Sequence, residues 1–194
     1  MTRITSSDGF GDLSTFAVGQ GDRINLGVAA IMMHRPAVAE AFGGVTSKLK
    51  ETGSLPARLV ELVRLRIAFH NQCRSCMAVR YQSAIDDGLT EDLVCSLEQP
   101  AEAPGLTDAD RSALHFADLF ATNHLAIDDA VYDDLREHFT EGELVELGLH
   151  CAIAVGIGRL TATWDVTENV PEGFSPVEGN PVAPWATGGV VASG

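Results

Sequence analysis

Basic residues are scarce in this chain of 194 amino acids. It contains 13 lysines and arginines against 27 aspartates and glutamates, which gives a formal net charge of −14. The few basic residues form no local cluster, so the chain would be repelled by phosphate backbones and anionic lipid surfaces. We therefore predict that it binds neither nucleic acid nor a membrane.

Long apolar runs are also missing. The most apolar stretch, residues 147–157, is interrupted by Gly148, His150 and Gly156. It is shorter than the roughly 20 residues that a membrane-spanning helix requires. Residues 1–21 contain no apolar segment of the kind found in secretory signals. These absences favour a cytoplasmic protein whose four cysteines are reduced thiols with one reactive pair.

Strand-like alternation of period two is absent, whereas apolar residues recur at spacings of three and four through the middle of the chain. This pattern predicts an all-α fold, and the length favours one domain. We expect an N-terminal arm over residues 1–23, a helical domain over 24–170 and a Pro/Gly-rich tail over 171–194. The tail is expected to lack regular structure and to be mobile or draped over a neighbouring subunit.

The helices are expected to begin at residues with known helix-starting chemistry, namely prolines in first turns and threonines whose hydroxyls accept from unpaired N–H groups. The expected helices cover residues 24–34, 36–51, 56–70, 73–87, 90–97, a segment from 107, a segment around 131–139, and 140–164. The last of these is apolar nearly all round, so it should lie in the centre of the fold or between subunits. We predict an oligomer partly for this reason.

The residues with the clearest chemistry are Cys73 and Cys76, which form a CxxC motif at the expected start of a helix. Unpaired backbone N–H groups and the positive end of the helix dipole favour a thiolate there. A spacing of three residues places both sulfurs on one side of the turn, close enough to form a disulfide. We therefore predict a pair that cycles between dithiol and disulfide.

The two cysteines have two other possible roles. A closed zinc site needs about four ligands, and the sequence has neither a second CxxC nor a suitably spaced histidine pair, so no metal is expected. The two cysteines could also merely fill space in a helix pair, although their position at a helix start argues against this. Cys95 and Cys151 are each alone on an expected apolar face and are predicted to be core residues.

The stretch 61–80 reads ELVRLRIAFHNQCRSCMAVR. It resembles the signature of the alkyl hydroperoxidase D-like branch of the carboxymuconolactone decarboxylase family. That signature has a glutamate, eleven residues, a CxxC and a histidine four residues after the second cysteine. By this resemblance Glu61 corresponds to the proton-relay glutamate, Cys73 to the resolving thiol and Cys76 to the thiol that attacks peroxide. Arg80 stands where the family has its histidine.

The resemblance implies an all-α fold assembled as trimers or hexamers, and thiol-dependent reduction of hydroperoxides in the manner of a peroxiredoxin-like antioxidant enzyme. It implies no cofactor. Cys76 would become a sulfenic acid, Cys73 would condense with it to a disulfide, and a dithiol donor such as a lipoyl protein would reduce the pair.

Arginine at position 80 changes the expected proton transfer, because a guanidinium does not shuttle protons as an imidazole does. Arg80 could stabilise a thiolate one turn away or form a structural ion pair with Glu61. The leaving alkoxide would then need a proton from Glu61, from water or from Tyr81.

His70, three residues before Cys73, is a candidate substitute relay. Four further histidines are expected to be surface or hydrogen-bonded residues; they are His115, His124, His138 and His150.

Two alternatives to a thiol peroxidase stay open from the sequence. One is a lactone decarboxylase, as the wider family name suggests, although the dithiol would then have no explanation. The other is a non-enzymatic, redox-responsive oligomer in which a disulfide between Cys73 and Cys76 alters subunit contacts.

Overall fold

The computed structural model describes residues 2–176 and 181–194, and in them the all-α prediction is confirmed. The helices are α1 Gln20–Met32, α2 Pro36–Thr52, α3 Ala57–His70, α4 Arg74–Ala78, α5 Gln82–Asp86, α6 Glu91–Cys95, α7 Asp108–Thr122, α8 Asp129–Arg136 and α9 Glu141–Trp164. Two short strands are β1 Val79–Tyr81 and β2 Val190–Ala192. Single 3₁₀ turns cover Leu13–Thr15, Ser96–Glu98, His124–Ala126 and Glu172–Phe174.

The helix starts follow from local chemistry. Pro36 occupies the first turn of α2, where its missing N–H needs no partner. The Thr90 hydroxyl accepts from the Leu93 N–H at the start of α6. Thr107 caps α7 and Thr140 caps α9, each in a capping box completed by an acidic residue three positions later. These starts lie within a residue or two of those expected from the sequence.

Helix α3 is the centre of the core, with α7 and α9 packed along it. Five of its apolar side chains are buried because neighbouring helices cover it on several sides; they are Leu59, Leu62, Val63, Leu65 and Ile67. This central helix also carries Glu61 and ends at His70, just before the dithiol. The core therefore fixes the position from which the CxxC segment departs.

The predicted helix over 73–87 is wrong in its middle, because the chain leaves α4 at Val79 and runs extended through β1. The carbonyls at this helix end are taken by arginine side chains instead of helical N–H groups. Arg64 donates to the carbonyls of Cys76 (2.7 Å) and Val79 (2.8 Å), and Arg80 donates to the carbonyl of Met77 (2.7 Å). Satisfying these carbonyls lets the helix stop.

The described part of the tail packs on its own chain, so the expectation of a tail without regular structure is wrong there. Strand β2 pairs in parallel with β1, with Val79 opposite Val190 and Tyr81 opposite Ala192. Phe174 is fully buried. Gly21 of α1 lies where an added Cβ would collide with the Val191 carbonyl, so only glycine allows this close approach. Residues 177–180 of the predicted tail lie outside the described residues.

Helix α9 has a large apolar surface that the chain does not cover. Within the described residues it is the one helix long and apolar enough to cross a membrane, with a mean hydropathy of 1.4 over a window that is 33% buried. Core helices pass the same test, and α9 packs against α3, α4, α7 and α8. One side of α9 thus lies in the core and another is open.

Candidate active site

The two cysteines of the CxxC motif meet at the junction of α3 and α4, where they form a disulfide with Cα atoms 5.2 Å apart. Cys73 is the N-cap of α4, and its sulfur accepts from the Cys76 N–H at 3.3 Å. The Ser75 hydroxyl lies 3.6 Å from the same sulfur. The predicted closeness of the two sulfurs is therefore present in the fold.

The two sulfurs differ in their access to solvent. Cys73 is completely buried, with 0% exposure, whereas Cys76 is half-buried and lines a cavity. A molecule that enters this cavity therefore meets Cys76 and not Cys73. The roles of Cys76 as attacking thiol and Cys73 as resolving thiol stay predictions.

The cavity beside Cys76 has a volume of about 430 Å³ and lies between α1, α2, α3, α4 and α9. Most of its wall is apolar; the apolar lining includes Ile24, Val28, Met32, Phe42, Val63, Ile153 and Ile157. Polar side chains are few and include Arg64, Ser75, Tyr81 and His150. Such a cavity suits a small organic molecule with a compact polar end.

Glu61 is buried (2% exposed) and reaches the dithiol segment through Arg64. Its carboxylate accepts from Arg64 Nε at 2.6 Å and Nη2 at 2.7 Å, and from the Tyr81 N–H at 3.2 Å. Burial would lower the pKa of Arg64, but the charge and hydrogen bonds of Glu61 outweigh it and the pKa is raised. The structure thus places an arginine between the acid and Cys76. A proton-relay role for Glu61 stays a prediction.

Glu61 and Arg64 also line a second cavity of about 410 Å³. Arg64, Tyr81 and His150 line both cavities. Burial raises the pKa of the Tyr81 phenol, and the Arg64 guanidinium lies 5.0 Å from its ring centroid. Tyr81 is therefore a protonated, hydrogen-bonding group at neutral pH.

Arg80 does not contact Glu61, so the predicted pairing of these two residues is wrong. Arg80 is 2% exposed and forms two hydrogen bonds with Glu91, Nε to Oε1 at 3.0 Å and Nη2 to Oε2 at 3.2 Å. It also donates to the Pro184 carbonyl at 2.8 Å. An added Cβ at Gly189 would lie 2.8 Å from its guanidinium carbon, so the tail closes over it. Arg80 thus forms an ion pair with Glu91. Its effect on a thiolate stays a prediction.

His70, the candidate substitute relay, belongs to a different cluster. Its Nε2 lies 2.6 Å from an oxygen of Asp118, which also accepts from Arg66 Nε at 2.6 Å. Burial would raise the pKa of Asp118, but the hydrogen bonds from His70 and Arg66 outweigh it and lower the pKa. His70 is not among the residues that line the Cys76 cavity.

Two site residues were missed from the sequence. Arg64 follows Glu61 by three positions, a spacing at which helical side chains meet, and this signal could have identified it. His150 was expected to be an ordinary surface or hydrogen-bonded histidine, yet it lines both cavities. The sequence feature that could have identified His150 is Glu146, four residues earlier on the same helix. The Glu146 carboxylate lies 3.8 Å from His150 Nε2.

The remaining cysteines differ from each other. The expectation of a core residue is wrong for Cys95, which is exposed because Val94 and Leu97 occupy the buried side of that turn. Cys151 is buried as predicted, and burial raises its pKa to about 12. A thiol with that pKa stays protonated and unreactive at neutral pH.

Comparison with known proteins gives matches in sequence and in fold. Residues 36–119 match the sequence profile of the carboxymuconolactone decarboxylase family. Two uncharacterized proteins of Mycobacterium tuberculosis are 35% identical over 111 residues, which is 56% of this chain and 38% of each relative. The chain therefore spans less than two fifths of the length of these curated relatives.

Solved structures share the fold at low sequence identity. The alkylhydroperoxidase AhpD core of an uncharacterized peroxidase-related protein from Ralstonia eutropha superposes with a TM-score of 0.69 at 18% identity, over 89% of this chain and 94% of that one. The debrominase Bmp8 superposes with a TM-score of 0.65 at 22% identity, over 95% of both chains. A cysteine-to-alanine variant of Bmp8 has also been crystallised with 2,3,4-tribromopyrrole. These similarities establish the fold.

Proposed function

Because residues 36–119 match the sequence profile of the carboxymuconolactone decarboxylase family and the fold is AhpD-like, we propose that this chain reduces organic hydroperoxides with the Cys73–Cys76 pair. The observation that carries this proposal is the unequal access of the two cysteines. Cys76 lines an apolar cavity, and Cys73 is buried behind it within bonding distance.

In the proposed reaction the Cys76 thiolate attacks the terminal oxygen of the hydroperoxide. The S–O bond forms, the O–O bond breaks, and the alkoxide leaves with a proton, so that Cys76 becomes a sulfenic acid and the peroxide becomes an alcohol. The Cys73 thiol then attacks the Cys76 sulfur, and water leaves as the disulfide forms. An external dithiol, such as a lipoyl group, supplies two electrons to restore both thiols.

The cavity wall supports an organic hydroperoxide over hydrogen peroxide. About 430 Å³ lined mainly by aliphatic side chains and Phe42 gives an alkyl or aryl body apolar contacts. Burial of that body would hold the O–O group beside Cys76 and lower the KM. Hydrogen peroxide has no apolar part and would gain nothing from these walls.

The test is a thiol count on the reduced Cys95→Ser protein, in which the exposed thiol is removed. One equivalent of cumene hydroperoxide should abolish two thiols per chain, and a dithiol donor should give turnover. Cys76→Ser in the same background should show neither the loss of two thiols nor turnover. Cys151→Ser should behave like the parent. An unchanged thiol count after peroxide addition to the parent would contradict the proposal.

A second candidate function is reductive removal of halogen from a small apolar aromatic. The volume and apolarity of the Cys76 cavity favour it, and the fold shared with a debrominase adds support. The dithiol would supply two electrons, with the carbon–halogen bond replaced by carbon–hydrogen and halide released as the disulfide forms. This function would be favoured if the protein released bromide from a bromopyrrole, Cys76→Ser did not, and the reduced thiols did not react with peroxide. A lactone decarboxylase would instead remain active with its thiols blocked.

We also propose that the protein is a cytoplasmic homo-oligomer. Support for assembly comes from an open apolar stripe on α9, where Val145 is 64%, Leu149 47% and Leu160 45% exposed. Covering this stripe with a second copy would remove apolar surface from water. Light scattering should give a mass above 20.6 kDa, and Leu149→Glu should reduce it. A monomeric parent protein would contradict the assembly.

A further inference from the structure

The proposed peroxide reduction leaves one chemical requirement without a residue. The departing alkoxide needs a proton, and the histidine of the family signature is replaced by Arg80, which is bound to Glu91. Glu61 is bound to Arg64 by two hydrogen bonds. A proton donor that faces the substrate must therefore be sought among the side chains that line the Cys76 cavity.

Besides Cys76 itself, the described ionisable side chains that line this cavity are Arg64, Tyr81 and His150. The pKa values of Arg64 and Tyr81 are raised further above neutrality, the first by Glu61 against the effect of burial and the second by burial. Neither group changes its protonation readily near neutral pH. His150 is the remaining group of the three.

His150 is held in place by its own helix and by a fixed carboxylate. Glu146, one turn earlier on α9, lies 3.8 Å from its Nε2. The Glu146 carboxylate in turn accepts from the Ser54 N–H at 2.8 Å and hydroxyl at 3.1 Å, and from the Leu55 N–H at 3.2 Å. These bonds anchor Glu146 to the loop before α3. The imidazole is thereby oriented where it can meet a molecule in the cavity.

The surroundings of His150 suit proton transfer in both directions. Burial lowers its pKa, and the nearby Glu146 carboxylate opposes that shift without cancelling it. The imidazole is therefore neutral at neutral pH and can accept a proton. Once protonated in this setting, it gives the proton up readily.

We propose that His150 is the catalytic proton-transfer residue of this site, taking the place of the histidine that Arg80 replaces. The proposal rests on the peroxide reduction proposed above. His150 accepts the proton of the Cys76 thiol, and the thiolate attacks the hydroperoxide so that the S–O bond forms and the O–O bond breaks. The His150 imidazolium then protonates the departing alkoxide. The products are the Cys76 sulfenic acid and an alcohol, and His150 is neutral again.

The first test compares two histidine variants in the reduced Cys95→Ser protein. His150→Gln should slow single-turnover oxidation by cumene hydroperoxide on the order of 100-fold, the usual size of a general acid–base contribution. His70→Gln is the matched control, since it removes a histidine that is bound to Asp118, and it should change the rate by less than about twofold. Equal rates for His150→Gln and the parent would overturn the proposal.

The second test follows Cys76 alkylation by iodoacetamide from pH 5 to 9, which needs no peroxide. The groups facing His150 are Glu146 on α9, Arg64 on α3, Tyr81 on β1, Cys76 on α4 and, across the second cavity, Glu61 on α3 and Lys50 on α2. His150→Gln should remove the titration that lies below neutral pH. Glu146→Gln should move that titration to lower pH, because the carboxylate opposes the lowering of the His150 pKa.

The two tests separate the two proposals. If the parent protein does not react with peroxide, the proposed function fails, and the alkylation profile still decides whether His150 accepts the Cys76 proton. A His150→Gln profile that coincides with the parent profile would overturn the role of His150. Circular dichroism of each variant checks folding, and Glu146→Gln provides the directional readout if His150→Gln does not fold.

Discussion

Arginines of helix α3 belong to two clusters that are similar in composition and different in position. One consists of Glu61 and Arg64, with the guanidinium donating to the carbonyls of Cys76 and Val79. The other consists of Arg66, His70 and Asp118, with the guanidinium donating to the carbonyl of Leu97. Each contains an arginine, a carboxylate and a backbone carbonyl, yet only the first contacts the segment that carries the dithiol.

The difference shows that nearness in sequence is a poor guide to the site. His70 is three residues from Cys73 but lies against Asp118, outside the Cys76 cavity. His150 is far from the cysteines in sequence but lines that cavity. A proton relay requires groups that face the same space, and the packing of α9 against α3 and α4 decides which histidine does so.

The largest expected contrast between the two clusters is in stability. Glu61→Ala leaves the charged Arg64 guanidinium without its carboxylate partner. Removing one partner of a buried ion pair lowers the free energy of unfolding by about 3–5 kcal/mol. The Asp118 side chain is 26% exposed, so Asp118→Ala should cost less, about 1–3 kcal/mol. Urea denaturation followed by circular dichroism measures both. A larger loss for Asp118→Ala would reverse the ranking of the two clusters.

A third arginine, Arg80, tests whether a histidine at that position could supply a relay. Arg80→His should lose the bonds to Glu91 and to the Pro184 carbonyl, which is expected to lower the free energy of unfolding by about 2 kcal/mol. The rate with cumene hydroperoxide should not rise, because the side chain at position 80 lies between the tail and α6. Stopped-flow oxidation compares the two proteins, and a faster Arg80→His protein would mean that the site lacks this histidine.

The smallest effect concerns the Asp118 cluster at acid pH. The pKa of Asp118 is lowered, because the bonds from His70 and Arg66 outweigh burial. The ionised carboxylate therefore stabilises the fold above the ordinary aspartate pKa of about 3.9, and this contribution is lost as the pH falls through the lowered value. Asp118→Asn should be less stable than the parent near neutral pH, and the two stability curves should converge at low pH. Curves that diverge on acidification would contradict the assigned sign.

Features with local causes were predictable from the sequence. The CxxC at a helix start, the capping threonines and the apolar face of α3 depend on residues within a few positions of each other. The strand β1 was not predictable, because it depends on Arg64 and Arg80 taking the carbonyls of Cys76 and Met77 and on pairing with β2 from the distant tail.

The partners of the charged side chains show the same limit. A glutamate and an arginine three apart, Glu61 and Arg64, can be paired from spacing alone. The partners of Arg80 and His70 are instead Glu91 and Asp118, and they are brought close by α6 and α7. Pairs of this kind follow from packing, which the sequence pattern does not reveal.

The central claim is that Cys76 attacks and Cys73 resolves. The most direct measurement is mass spectrometry after reduced Cys73→Ser and Cys76→Ser proteins, both in the Cys95→Ser background, receive cumene hydroperoxide and dimedone. We predict a dimedone adduct on Cys76 in the Cys73→Ser protein and none on Cys73 in the Cys76→Ser protein. An adduct on Cys73, or adducts on neither cysteine, would contradict the account.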